Sequence, residues 1–264
     1  MFHADSPIGL LDSGIGGFTV MRELCGSLPC ENIIYLADSA NCPFGNRDAE
    51  EITSLTDKML NFLQKKNVKL VLVACNTISS LWERYGDRFP FKILGIIDPM
   101  TKIIARQGIK EAGLVATVFT VKSNSYGKSI EKYSSDTKLY SADSEKLAAL
   151  IDSGNIDGRE TLEEVHQMMA SLLKKKDVKN VILGCTHYPV VEDLFSRAAP
   201  NVAFLNPAIP QVALCERILR ENNLLRGGGR GKIEVYTTGE VSVSSDMLNL
   251  LGMNDATVYN ISSF

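Results

Sequence analysis

The sequence predicts an α/β protein built as two pseudo-symmetric halves. Each half is a mostly parallel sheet flanked by helices, and the site lies between them. Three observations carry that reading. First, Val68-Lys-Leu-Val-Leu-Val-Ala-Cys75-Asn-Thr77 and Val178-Lys-Asn-Val-Ile-Leu-Gly-Cys185-Thr-His187 superpose, valine on valine and cysteine on cysteine. Second, the duplication extends to two further stretches in the same order. Gly9-Leu-Leu-Asp-Ser13 matches Gly113-Leu-Val-Ala-Thr117, and Ile34-Tyr-Leu-Ala-Asp-Ser39 matches Leu139-Tyr-Ser-Ala-Asp-Ser144. Third, short apolar runs alternate with helical patterns, as buried parallel strands do in βαβ units.

In order, Ile8 to Leu11 is the first strand. Asp12-Ser-Gly-Ile-Gly-Gly17 follows as a tight turn that lets a ligand approach the backbone, and Phe18 to Leu28 is a crossover helix. Asn32 to Ala37 is a second strand. It ends in the loop from Asp38 to Asn46, longer than a plain connection needs. Asp48 N-caps an amphipathic helix reaching Lys66, with Glu50 and Glu51 in its first turn. The Cys75 strand leads to a helix from Ile78 to Tyr85. Lys92 to Ile96 is a fourth strand, closed by Asp98-Pro99 before a helix to Arg106.

In the second half, helical patterns fill 122–133, 144–152 and 160–175. After the Cys185 strand come a helix around 190–198, a strand near 202–205 and a helix opening after Asn206-Pro207. Arg226-Gly-Gly-Gly-Arg230 is expected to be a flexible exposed loop. Lys232 to Thr238 is a strand and Ser242 to Leu251 a last helix. The expected division is 1–107, 108–220 and a segment 221–264 that packs back on the first half.

The charge balance excludes several function classes. Net charge is −3, with 28 basic and 31 acidic residues scattered, and the one basic run, Lys174 to Lys176, suits a helix C-terminus. No nucleic-acid footprint is visible. No apolar stretch approaches the ~20 residues of a membrane span, and no signal pattern opens the chain, so a cytoplasmic protein is expected. Six cysteines without a Cys-x-x-Cys pair, and only three histidines, predict neither a disulfide framework nor a structural zinc site.

Cys75 and Cys185 are the candidate chemistry. Both stand at carboxyl ends of predicted parallel strands, where ligands bind in such sheets. Both precede a predicted helix N-terminus, which favours a thiolate. Cys25, Cys30 and Cys215 lie on helical or loop patterns and read as packing residues. Cys42, in the long loop, is open to either reading. His187 follows Cys185 by two residues and Asp12 ends the first strand beside the Cys75 strand, so each thiol has a neighbouring base or acid. His3 is expected in a disordered tail and His166 on a solvated helix face. Two thiols on opposite sides of one carbon suit removal of an α-proton and its return on the other face. No phosphate cup or Schiff-base lysine accompanies them, so the chemistry is expected to need no cofactor. A cysteine hydrolase would need only one of the thiols.

The motifs Asp12-Ser-Gly-Ile-Gly-Gly17, Asp38 with Pro43-Phe-Gly-Asn46, Ala74-Cys-Asn-Thr77, Ala116-Thr-Val-Phe-Thr120, Gly184-Cys-Thr-His-Tyr-Pro189 and Tyr236-Thr-Thr-Gly239 run through almost the whole chain. On them the sequence resembles the glutamate racemases of the cofactor-independent aspartate/glutamate racemase superfamily. The resemblance implies glutamate held between two domains. Cys75 would act on D-glutamate with Asp12 in support, and Cys185 on L-glutamate with His187. Ser13, Asn76, Thr77, Thr117, Thr120 and Thr186, with the Pro43-Phe44-Gly45 backbone, would bind the substrate. It further implies a homodimer that supplies D-glutamate for peptidoglycan. Two positions depart from the pattern: Phe44 stands for the usual tyrosine, and Asp152 for a glutamate. The alternatives are a racemase for aspartate or a related amino acid, and a non-catalytic ligand-binding relative.

Overall fold

The computed structural model describes residues 2–86 and 88–262. The wholly buried strand β1 (Ile8–Asp12) is followed by helix α1 (Phe18–Ser27) and strand β2 (Ile33–Ala37). Helix α2 (Ala49–Lys65) comes next, its first turn held by the Asp48 carboxylate, which accepts from the Glu51 amide. Strand β3 (Leu70–Val73) runs into the single turn α3 (Asn76–Ser79), and β4 (Lys92–Gly95) into α4 (Ile97–Arg106).

The second half begins with β5 (Glu111–Thr117), α5 (Val118–Lys122), α6 (Ser125–Glu131) and β6 (Lys138–Ser144). It continues through α7 (Leu147–Asp152), α8 (Arg159–Lys175), β7 (Asn180–Gly184), α9 (Glu192–Ala198) and β8 (Ala203–Leu205). The chain then forms α10 (Ala208–Glu221), β9 (Ile233–Thr237), α11 (Val241–Leu250) and β10 (Thr257–Asn260). Among the described residues, no helix is long and apolar enough to cross a membrane.

The strands pair in parallel into two sheets, ordered β10-β9-β2-β1-β3-β4 and β6-β5-β7-β8. The run β2-β1-β3-β4 and the whole second sheet share one order, so the repeated sequence is a repeated topology. In each, the chain leaves the central strand, β1 or β5, toward one side and returns on the other. That reversal opens a crevice at the carboxyl ends between β1 and β3, and between β5 and β7.

Helices on both faces explain why β1, β2 and β3 are buried throughout. Phe18, Met21 and Leu24 of α1, Met100 and Ile104 of α4, and Val212 and Leu219 of α10 cover one face of the first sheet. Ile52, Met59 and Leu63 of α2 cover the other. The first of these clusters continues into the second half through Leu114, Ala116 and Ile182. Gln211 ties α10 to the first sheet, its Nε2 donating to the carbonyls of Val73 at 2.9 Å and Leu94 at 2.8 Å.

Several expected elements differ. The helix from Ile78 to Tyr85 stops at Ser79, because the Ser79 hydroxyl donates back to the Val73 carbonyl and accepts the Ile96 amide. The 122–133 helix breaks at Asn124, which adopts a left-handed φ of 51°. Asp98 and Pro99 do not close β4 but lie in the first turn of α4, where the missing proline N–H leaves no helix bond unmade. Strand β10 carries no clear alternation in the sequence and was not expected. The tail and the glycine loop expected to be mobile are both pinned. The buried Lys69 ammonium donates to Glu31 at 2.5 Å and to the carbonyls of Ala4 and Leu224, while Glu31 also accepts the Arg226 amide at 2.8 Å.

Candidate active site

The two crevices open onto one narrow cavity. From the first half it is lined by Ser13 after β1, Cys42 to Gly45 after β2, and Cys75 to Thr77 after β3. From the second half come Thr117 after β5, Ala148 of α7, and Cys185 to His187 after β7. Two glycines let the halves meet this closely. A Cβ on Gly16 would sit 2.5 Å from His187 Nδ1, and one on Gly45 would sit 2.8 Å from the Thr117 Cβ. The Thr19 hydroxyl of α1 crosses to the Thr186 carbonyl at 3.0 Å. A wider cleft lined by Trp82, Lys92, Lys102, Lys128 and Lys132 holds neither thiol.

The two thiols have unlike surroundings. Cys75 occupies the N-cap position of α3, and its Sγ lies 3.6 Å from the Ser13 hydroxyl. Burial first, with the Asp12 charge adding to it, pushes its pKa up to about 12 against the Ile78 amide and the Ser13 hydroxyl. The helix N-terminus expected to favour a thiolate is therefore outweighed at Cys75, since one short turn does not offset full desolvation. After Cys185 a 3-10 turn, Tyr188–Val191, with His187 at its N-cap position, comes before the expected helix, α9. Cys185 Sγ lies 3.6 Å from His187 Nδ1, and His187 Nε2 lies 3.0 Å from Asp152 Oδ1. Burial pushes the imidazole pKa down, but the Asp152 carboxylate and the Cys185 sulfur outweigh it and hold His187 well above its ordinary value. Asp152 resists its own desolvation through the same bond and stays below the usual carboxylate range.

Asp12 stands behind the cavity. Its carboxylate accepts the Gly14 amide at 3.0 Å and the Thr186 hydroxyl at 3.1 Å. Burial pushes its pKa up to about 6, against the His187 charge and those two donors. An acid whose pKa rises on folding destabilises the fold wherever it must ionise. Stability from this group is therefore lost as pH rises from 3.8 to about 6, at a cost of about 3 kcal/mol above that window. Asp12→Asn keeps an acceptor for Gly14 and a partner for Thr186. It is expected to raise Tm by several degrees above neutral pH, and the gain should disappear as the buffer is taken below pH ~4. Thermal melts across that range check it, and a gain independent of pH would contradict this account.

The polar donors divide by side. Thr77 and Thr117 hydroxyls meet across the halves at 3.1 Å. Thr120 does not line the cavity. Its hydroxyl stands behind Thr117 at 3.1 Å, and Thr117 N-caps α5 by accepting the Thr120 amide. Asn76 is the sharpest case. Tyr126 donates to its Oδ1 at 2.7 Å, while its buried Nδ2 has no partner among the described residues. The tyrosine thus fixes the amide with its N–H₂ free for a ligand oxygen. Tyr126→Phe releases that orientation. It is expected to raise KM by about 0.5–1.5 kcal/mol, several-fold, with a smaller change in kcat, as steady-state kinetics would show.

Of the residues expected from the sequence, all but Asp12 and Thr120 line the cavity. Phe44 does so while almost wholly buried in the apolar cluster under α2. Sequence reasoning left Cys42 open and missed Ala148. It noted Asp152 as a departure but had no signal that its carboxylate reaches His187.

Comparison with known proteins agrees with this geometry. The sequence profile of the Asp/Glu/Hydantoin racemase family matches residues 19–215. A glutamate racemase of Carboxydothermus hydrogenoformans is 35% identical over 256 residues, spanning 96% of this chain and 95% of that protein. The crystal structure of a glutamate racemase isoform from Bacillus anthracis superposes with a TM-score of 0.92 at 30% identity, over 98% of each chain. The glutamate racemase of Francisella tularensis, solved in complex with D-glutamate, gives 0.90 at 25% identity, again over 98% of each. With the profile covering residues 19–215 and full-length relatives following the same path, the chain belongs to the Asp/Glu/Hydantoin racemase family.

Proposed function

We propose that this protein interconverts L- and D-glutamate by cofactor-independent two-base proton transfer. The observation that carries the reading is that Cys75 and Cys185, from corresponding crevices of two like sheets, line one cavity. Cys185, as thiolate, takes the α-proton of L-glutamate, and the Cys75 thiol delivers a proton to the opposite face. The reverse reaction exchanges the roles, so the enzyme ends each turnover with its two protonation states swapped. His187, oriented by Asp152, takes and returns the proton of Cys185. Asp12, poised near pH 6 by burial, does the same on the Cys75 side. Ser13, Asn76, Thr77, Thr117 and Thr186, with the Phe44 and Gly45 amides, hold the carboxylates and the amine, and Thr120 supports Thr117. Pro43 shapes the loop but has no N–H to give.

The named relatives support glutamate over aspartate. Aspartate is one methylene shorter and would leave buried donors unpaired. The reading extends to a cytoplasmic homodimer that supplies D-glutamate for peptidoglycan. It also takes the halves as 1–107 and 108–220, with 221–264 completing the first through β9 and β10. The test is incubation with L- or D-glutamate in heavy water, with aspartate in parallel. Loss of optical activity with deuterium entering the α-position is expected for glutamate. Binding without exchange, or faster exchange of aspartate, overturns the assignment.

A further inference from the structure

Cys42 has no role in the proposed proton transfer, yet it stands in the cavity wall beside the one histidine of the site. Its Sγ, a carboxylate oxygen of Asp152 and a ring nitrogen of His187 all lie within 4.8 Å of one another. They come from three places distant in sequence: the loop after β2, the end of α7 and the loop after β7. That is why spacing alone predicted no metal site. Tetrahedral zinc holds sulfur at about 2.3 Å and nitrogen or oxygen at about 2.0–2.2 Å. Two such ligands lie a little over 3 Å apart, and His187 Nε2 and Asp152 Oδ1 are already 3.0 Å apart. A sulfur, nitrogen and oxygen set with three protein ligands suits Zn²⁺ and leaves one position open.

The site is also approachable. Cys42 and Asp152 line the inner cavity's outer neighbour, an open depression that includes Ser39, Ala149, Ser153 and Glu240. Asp152 is 23% exposed there, while His187 is 3% exposed. An ion arriving from solvent meets carboxylate and thiol first and the imidazole last.

We propose that Cys42, Asp152 and His187 form an inhibitory site for one thiophilic divalent cation, Zn²⁺ in the first instance. Binding releases two protons to solvent, one from the Cys42 thiol and one from His187 Nε2, places the metal on that nitrogen and breaks its bond to Asp152. His187 then has no orienting carboxylate and carries a metal in place of a mobile proton. Racemisation stops in both directions. The inhibitory half rests on the proton-transfer reading above, and the binding half does not.

The test uses cobalt(II) as a spectroscopic stand-in for zinc, because its absorption reports thiolate ligation and four-coordinate geometry. The intact protein is expected to take up one Co²⁺ with a thiolate charge-transfer band. Zn²⁺ should displace the cobalt and silence both directions, and a chelator should restore them. Cys42→Ala is expected to lose the band and to weaken zinc binding at least ~100-fold, more than outer-shell losses typically cost. Asp152→Ala should weaken binding similarly and serves as a second reading if Cys42→Ala does not fold. Cys75→Ser should keep the band. A band that persists in Cys42→Ala, one that vanishes in Cys75→Ser, or no band in the intact protein overturns the site. A protein that binds zinc at these residues yet racemises no amino acid sinks only the inhibitory half.

Discussion

Cys75→Ser and Cys185→Ser are each expected to abolish racemisation of glutamate, with losses of at least ~10⁴-fold. A serine hydroxyl keeps the size and the hydrogen bond to Ser13 or His187, so the cavity should survive. It is too weak an acid to exchange an α-proton near neutral pH. Each variant retains one working thiol and so one working face. With a substrate analogue carrying a β leaving group, Cys185→Ser should still eliminate from the D-enantiomer and Cys75→Ser from the L-enantiomer. Racemisation by Cys185→Ser at the wild-type rate would remove the two-thiol mechanism altogether. Elimination from the same enantiomer by both variants would reverse the assignment of faces.

His187→Asn is expected to lower kcat from L-glutamate by about 10²–10⁴-fold, the usual worth of a positioned acid or base. The imidazole Nδ1 lies 3.6 Å from the Cys185 sulfur, and it is held above its ordinary pKa by Asp152 and the sulfur. Asp12→Asn should act mainly on kcat from D-glutamate, because Asp12 is the charged group that most perturbs Cys75. The equilibrium between enantiomers fixes the ratio of kcat/KM for the two directions, so the asymmetry appears only in kcat and KM taken separately. Equal effects of both substitutions on both kcat values would dissolve the pairing of each group with one thiol.

How much of this was legible beforehand depended on whether a feature was local or assembled by the fold. Apolar runs before Cys75 and Cys185 identified strands, because β-branched residues buried on both faces leave a continuous apolar signal. The repeat then predicted matching crevices, and the strand orders match. Helix ends were less readable. The stop at Ser79 depends on a hydroxyl reaching a strand carbonyl, and the break at Asn124 depends on one residue's left-handed backbone. Neither leaves a periodic trace. The electrostatics of the site were least readable. A helix N-terminus after Cys75 promised a lowered pKa, while full burial, which no local pattern reports, raises it to about 12. Tyr126 on Asn76, and Asp152 on His187, are partners from separate elements and only the folded chain joins them.

The order of the first sheet also constrains how the chain is made. Strand β2 pairs on its outer side with β9, Ile33 lying against Ile233, and β9 with β10 beyond it. The second sheet is contiguous in sequence, from β5 to β8, and needs nothing downstream of Leu205 for its pairing. During synthesis it can close while the first half still waits with an unpaired, apolar β2 edge. Such an edge is a template for pairing with other chains, and sequence-distant strand pairing is slow to form. A nascent chain stalled before β9 would therefore present a finished Cys185 half beside an unfinished Cys75 half. The vulnerable species in biogenesis is that intermediate, and gatekeeping falls to β9 and β10, which cover the β2 edge.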